Sequence, residues 1–232
     1  MSTTAELTQL VRDITDLDEA DLPSALIRTY LRDGFDRFIN LERRWPWLET
    51  SATLNTVANQ RTYAVSAIGA GDFREIISVT DTSLAGNRLH LIPIEDAERI
   101  YNGSLDTASR PLYFLEWAGN IQLYPKPDTV YPLSIRGYRK PSYTWTTNTA
   151  LEPDCDERLH LALAYYAVAQ AYKRQEDGEL MAMHKQSYDE AVAIARKELM
   201  RPSSNRPMIM SRGAHYLTMR GWMQELGKTL AP

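Results

Sequence analysis

The chain has 232 residues, 44% of them hydrophobic and 24% charged, with a formal net charge of −4. This composition excludes a disordered chain, a collagen-like repeat and a disulfide-stapled miniprotein, and the length suits one or two domains with a sizeable core. The mild acidity argues against bulk-charge binding to nucleic acid, and the single cysteine, Cys155, excludes an intrachain disulfide and a cysteine-based zinc site.

The first six residues lack the basic start and apolar stretch of a signal peptide. Leu7, Leu10, Val11 and Ile14 then form a short amphipathic stretch. The acids Asp13, Asp16, Asp18, Glu19 and Asp21 read as a solvated loop with helix-cap residues. A longer helix starts near Pro23, which a first turn tolerates. Ile27, Leu31, Phe35, Phe38 and Leu41 repeat at steps of four and three and share one face, with Arg28, Arg32, Asp36 and Arg37 off it. The helix is expected to stop before Trp45-Pro46, because a proline disfavours helical geometry in the residue before it.

Residues 49–149 lose the helical period. Thr53, Asn55 and Val57 lead through a turn at Asn59-Gln60 to a strand at Thr62–Val65, and Phe73–Thr80 is rich in β-branched residues. A turn at Ala85-Gly86-Asn87 precedes a strand at Arg88–Leu91, and Pro93–Asn102 reads as a short helix with acids in its early turns. Tyr113–Trp117, a turn at Ala118-Gly119-Asn120 and Ile121–Tyr124 form a hairpin. Residues 130–138 alternate, with Leu133, Ile135 and Gly137 on one side. Six or seven short strands point to a small antiparallel sandwich or open barrel.

Helical character returns at residues 150–200. Asp154 with Glu157 three positions on resembles a capping box. The run Leu159–Tyr172 has little polar surface, so its helix is buried on more than one side; it is too short and too interrupted to span a membrane. Gly178 breaks it, and Leu180, His184, Tyr188, Ala191, Ala195 and Leu199 pattern a second helix that ends at Arg201-Pro202. Neither helix can bury its face alone, so the helix of residues 23–44 is the natural third member. The expected fold is α+β: an antiparallel helical bundle from residues 1–48 and 150–200, a small antiparallel β domain inserted at 49–149, and an extended C-terminal arm at 201–232.

Signatures of chemistry are scarce. There is no phosphate loop, no dinucleotide fingerprint and no nucleophile elbow. Glu157 and His160 have the Glu-x-x-His spacing of diiron bundles, but that site needs the motif twice, and Leu180 and Met181 stand where His184 would need its acid. Cys155 lies between Asp154 and Asp156, which does not favour a thiolate. Trp45, Trp47, Tyr113, Trp117 and Tyr124 would serve a sugar-stacking platform, or more commonly core and joint filling. We expect no enzyme activity, no metal and no cofactor.

The tail differs from the rest. Residues 201–232 carry Arg201, Arg206, Arg212, Arg220 and Lys228 against Glu225 alone, a net +4, while the preceding 200 residues hold 21 basic and 29 acidic side chains, a net −8. Such asymmetry suggests a segment with its own partner. Pro202 and Pro207 keep it from extending the preceding helix. Beyond them stand Met208, Ile209, Met210, Tyr216, Leu217, Met219, Trp222, Met223 and Leu226, several at spacings that line one face of a short helix. Apolar anchors of this kind, methionine above all, dock into grooves on other proteins. The alternative is an arm folded back on its own bundle.

Several stretches together resemble the phage head-to-tail adaptor family. They are Asp33-Gly34-Phe35-Asp36-Arg37, Arg43-Arg44-Trp45-Pro46-Trp47, Gln60-Arg61-Thr62-Tyr63 and Phe73–Val79. Arg110–Tyr113, Gly119–Asp128 and Tyr138-Arg139-Lys140-Pro141 are the most specific, and the Tyr-rich helix at 158–174 with its long partner completes the pattern. The resemblance implies a helical bundle with an inserted β domain, in a structural protein without turnover. It implies a ring, usually of twelve copies, beneath the portal vertex at the head-tail junction of the virion, made in the bacterial host cytoplasm. That ring extends the DNA channel without sequence-specific binding and offers a surface to a tail or nozzle protein. The arm would dock on the portal ring through Arg206, Met208, Ile209, Met210, Arg212, Tyr216, Leu217, Met219, Arg220, Trp222, Met223 and Leu226. No membrane is involved. The rival readings are a head- or tail-completion protein that does not touch the portal, a glycan- or receptor-binding β module, and, weakest, a metal-dependent helical-bundle oxygenase.

Overall fold

The computed structural model describes residues 2–68, 73–84, 87–100 and 107–200. The expected arm and the turn residues Ala85 and Gly86 lie outside the described residues, as do the last two residues of the helix expected to end at Asn102.

Helix α1 spans Thr4–Thr15 and is opened by a reciprocal cap: the Thr3 hydroxyl accepts the Glu6 N–H and the Glu6 carboxylate accepts the Thr3 N–H. It ends at Asp16, which takes the left-handed conformation with φ 54°. Helix α2, Ser24–Leu41, has Pro23 at its cap rather than inside its first turn; the Glu19 carboxylate accepts the Ser24 N–H and hydroxyl there. Ile27, Leu31, Phe35 and Phe38 are wholly buried, as their spacing requires. Leu41 departs from the expectation at 56% exposed. It is the last helical residue, and Ile39 is buried near that end instead.

Helix α4, His160–Arg174, is the centre of the bundle and packs against α1, α2 and the long helix α5, Gly178–Leu199. Ala162, Leu163, Ala164, Ala167 and Val168 are all buried, so its flanks accept a neighbour on several sides, while Leu161 stays exposed. Its start corrects the expected capping box. A short 3₁₀ turn at Glu157–Leu159 precedes it, capped by Asp156, which accepts the Arg158 N–H. Asp154 is drawn away by two hydrogen bonds from Arg139, each 2.6 Å, a pairing stronger than a single backbone cap. Asp177 caps α5 by accepting the Leu180 N–H, so Gly178 begins the second helix rather than only ending the first. Trp45, Leu48 and Trp145, from the segments beside α2 and before α4, join this core; Phe35 meets Phe38, Tyr143 and Trp145 edge-to-face at 5.2–5.5 Å.

The strands are β1 (Glu49–Asn55), β2 (Thr62–Ala64), β3 (Phe73–Asp81), β4 (Asn87–Arg88), β5 (His90–Leu91), β6 (Tyr113–Trp117), β7 (Asn120–Tyr124) and β8 (Pro132–Arg139), with helix α3 at Ile94–Ile100. They form two four-stranded sheets in the orders β1-β8-β3-β4 and β2-β7-β6-β5. Ile76, Val79, Leu133 and Ile135 of the first pack with Tyr63, Phe114, Ile121 and Leu123 of the second in one apolar core. Among the described residues there are eight strands, not six or seven, because the expected Arg88–Leu91 strand divides at Leu89. Its N–H bonds Val79 in the first sheet while that of His90 bonds Leu112 beside the second, and its side chain is buried. The crossing makes β5 run parallel to β6, so the sandwich is not wholly antiparallel. The β6–β7 hairpin turns through Ala118 at φ 49° and Gly119 at φ 73°, the positive pair that a two-residue turn demands; Asn120 already pairs with Trp117. Helix α3 covers the outer side, with Ala97 packed against Leu115 and Tyr124.

Candidate interaction surfaces

Every residue of the expected docking set, Arg206 to Leu226, lies outside the described residues. What the structure does place is the body that would carry them.

Polar side chains lock the helices to the first sheet. Arg44, just past α2, forks onto Glu75 of β3, with Nη2 2.5 Å from Oε1. Hydrogen bonding from Arg44 pulls the Glu75 carboxyl below its ordinary value, and desolvation does not reverse this. Arg139, at the end of β8, holds Asp154 on both oxygens, and the Ser142 N–H adds a third bond at 2.6 Å. The Tyr143 hydroxyl donates to Asp36 at 2.5 Å while the Arg32 guanidinium lies 5.0 Å over its ring. Burial and then the Asp36 carboxylate push that phenol up to about 12. Arg196 of α5 meets Glu42. Within the sandwich, Asp81 accepts the Ser83 hydroxyl at 2.6 Å, the Ser83 N–H at 2.9 Å and the Arg110 guanidinium at 2.8 Å; burial opposes ionisation of Asp81, but these bonds outweigh it and hold the carboxyl below its usual range. All of these groups are spent on one another. They fasten the fold.

The groups singled out for chemistry do not converge. His160 is 3% exposed, Glu157 is exposed one turn earlier, and among the described residues no three of His, Cys, Asp and Glu are placed to hold a metal ion. Burial lowers the His160 basicity, and the Ser2 N–H points at its Nδ1 at 3.3 Å. His184 lies between Tyr165 and Tyr172, stacked on the latter at 5.6 Å, and burial lowers it too. Burial, then Asp154 and Asp156, push the Cys155 thiol well up, away from a nucleophilic thiolate. The five aromatics do not share one surface: Trp45 is wholly buried and stacked on Trp47 at 4.7 Å, Tyr113 pairs across β6 and β7 with Tyr124, which is buried under Arg61, and Trp117 stands 54% exposed at a hairpin tip. A shared sugar platform is therefore absent.

A groove of about 560 Å³ lies on the outer face of the first sheet between Glu49, Ser51, Ile77, Arg136 and Tyr138. It is open and shallow, and it adjoins the outermost strand of that sheet. No described helix is long and apolar enough to cross a membrane. Such a body, internally fastened and open along its surfaces, suits a structural part.

The family model for the SU10 adaptor protein matches residues 2–210. The chain therefore belongs to the SU10 adaptor family, a phage head-tail adaptor family, and its role is that of a structural adaptor in the virion. The match takes in the first residues of the expected arm, through Met210, and leaves 211–232 beyond it. No curated protein matches the chain.

Proposed function

We propose that this adaptor assembles as a ring of identical copies, twelve by the family resemblance, beneath the portal at the head-tail junction. Residues 1–48 and 150–200 act as a helical bundle, 49–149 as its β insertion, and 201–232 as the arm that grips the portal ring. The ring prolongs the DNA channel and gives a tail or nozzle protein its attachment surface, without turnover. The observation that carries this beyond family membership is the charge division: an arm of net +4 with methionine, isoleucine and tryptophan anchors on a body of net −8. A net-negative channel wall does not hold phosphates, so DNA passes without being gripped.

Deletion of 205–232 tests the arm. The truncated protein is expected to keep its circular dichroism spectrum and to lose retention by immobilised portal rings. Retention at the full-length level would remove the arm from the interface.

A further inference from the structure

The first sheet is finished differently at its two sides. Strand β1 is outermost and pairs only with β8. Thr56, just beyond β1 and in the same register, donates its N–H to the Tyr131 carbonyl, so the even-numbered residues 50, 52 and 54 face β8. The backbone of Ser51, Thr53 and Asn55 therefore points outward, and no group among the described residues bonds it. Thr50–Asn55 contains no charge and no proline, and its register with β8 runs without a bulge. Ala52 and Leu54 reach the sandwich core from this rim yet remain half-buried.

The other edges are guarded. Strand β3 carries two register shifts, is capped by β4 at one end, and has its Ile77 carbonyl taken by Arg88 at 2.9 Å. Strands β2 and β5 are three and two residues long. Proteins protect exposed edges with charge, proline, bulges or shortness because an open edge is a template for another strand. Among the described edges, β1 beyond its first residue, the charged Glu49, has none of these protections.

We infer that the β1 edge is a seam at which a second copy of this chain adds an extended segment, so that the first sheet runs from one protomer into the next. This rests on the ring proposed above. In the proposed ring of identical copies the neighbour at this edge is a second copy of the chain, and the charge of the strip does not bar it. Bodies of net −8 repel one another, and Thr50–Asn55 is an uncharged strip on which two such bodies can approach. The added strand gains the outward N–H and C=O groups of residues 51, 53 and 55 and covers the half-open rim at Ala52 and Leu54. A single added strand buries less than the roughly 1,200–2,000 Å² of a stable free-standing interface, so the seam operates within a closed assembly rather than in dilute monomer.

Amide hydrogen exchange on the full-length protein, in dilute monomer and in rings formed alone or on portal, tests the seam. The Ser51, Thr53 and Asn55 amides are expected to exchange rapidly in the monomer and to slow at least tenfold in the ring. Thr53→Pro removes one outward N–H without touching the β8 ladder, as edge strands allow. It is expected to stop ring formation with a nearly unchanged thermal melt, while Thr53→Ala assembles normally. Rings whose β1 amides stay unprotected, or amides already slow in the monomer, overturn the seam alone. Rings formed undiminished by Thr53→Pro, or slowing produced only by contact with portal, do the same. Failure of the wild-type protein to form rings under every condition overturns the ring and the seam together.

Discussion

Gly34 shows how much of the bundle depends on single atoms. Its carbonyl accepts the Tyr188 hydroxyl at 2.9 Å, and a methyl group at its Cα would stand 2.9–3.1 Å from Cδ1, Cγ and Cβ of Tyr166. Those atoms are the base of a ring held 5.1 Å from Tyr188, so they cannot swing away. Overpacking of this kind costs about 1–3 kcal/mol, against which alanine returns up to about 1 kcal/mol of helix propensity. Gly34→Ala is therefore expected to lower the melting temperature by a few degrees; an unchanged or raised melt would show that Tyr166 gives way. The sequence displays Gly34 inside a helical pattern but not the ring behind it, since that neighbour lies more than a hundred positions away. Asp154 was misread for a related reason. Local spacing offers it as a cap, and only the fold brings Arg139 to compete. The reciprocal cap at Thr3 and Glu6, by contrast, is written in the chain as a Thr-x-x-Glu spacing before an apolar stretch.

Helices and strands were legible in proportion to their periodicity. The faces of α2 and α5 follow their three- and four-residue steps, and β8 alternates as expected, because burial on one side imposes a period on the residues themselves. The split at Leu89 was not legible: one continuous extended stretch serves two sheets, and nothing in four residues distinguishes that from one strand. The α4–α5 hairpin also carries a pH signature. His160 and His184 both have folded values below the ordinary 6.5, because burial disfavours their charged forms. The unfolded chain thus binds protons that the folded one refuses, and stability falls as pH drops below about 6.5. The urea midpoint is expected to be lower at pH 5.5 than at pH 7.5. His184→Phe, which keeps a ring between Tyr165 and Tyr172, is expected to flatten part of that difference; an equal slope would place the titration elsewhere.

At the scale of the molecule, the division of charge is legible from where the charged residues fall along the chain, and the α+β class follows from the order of periodic and alternating stretches. The surfaces were not legible, because a side chain's exposure depends on what packs over it, as the exposed Leu41 and Leu161 show. The charge division has a direct consequence for DNA. The body without its arm, residues 1–204, is expected to leave duplex DNA unshifted in a gel at low salt, where phosphate attraction would be strongest. A shifted band would mean that a local basic face overrides the fragment's net −7, from 22 basic and 29 acidic side chains.

Of the five tryptophans, Trp222 lies outside the described residues; among the other four, Trp45, Trp47 and Trp145 belong to the helical core or pack against it, while Trp117 projects from the sandwich. Light emitted by the first three reports solvent entry into the bundle, and a soluble quencher reaches the fourth without any unfolding. With Trp222 replaced by phenylalanine, the body carries its own optical labels, one set for the loosening of its helices and one for the covering of its hairpin tip by whatever docks there.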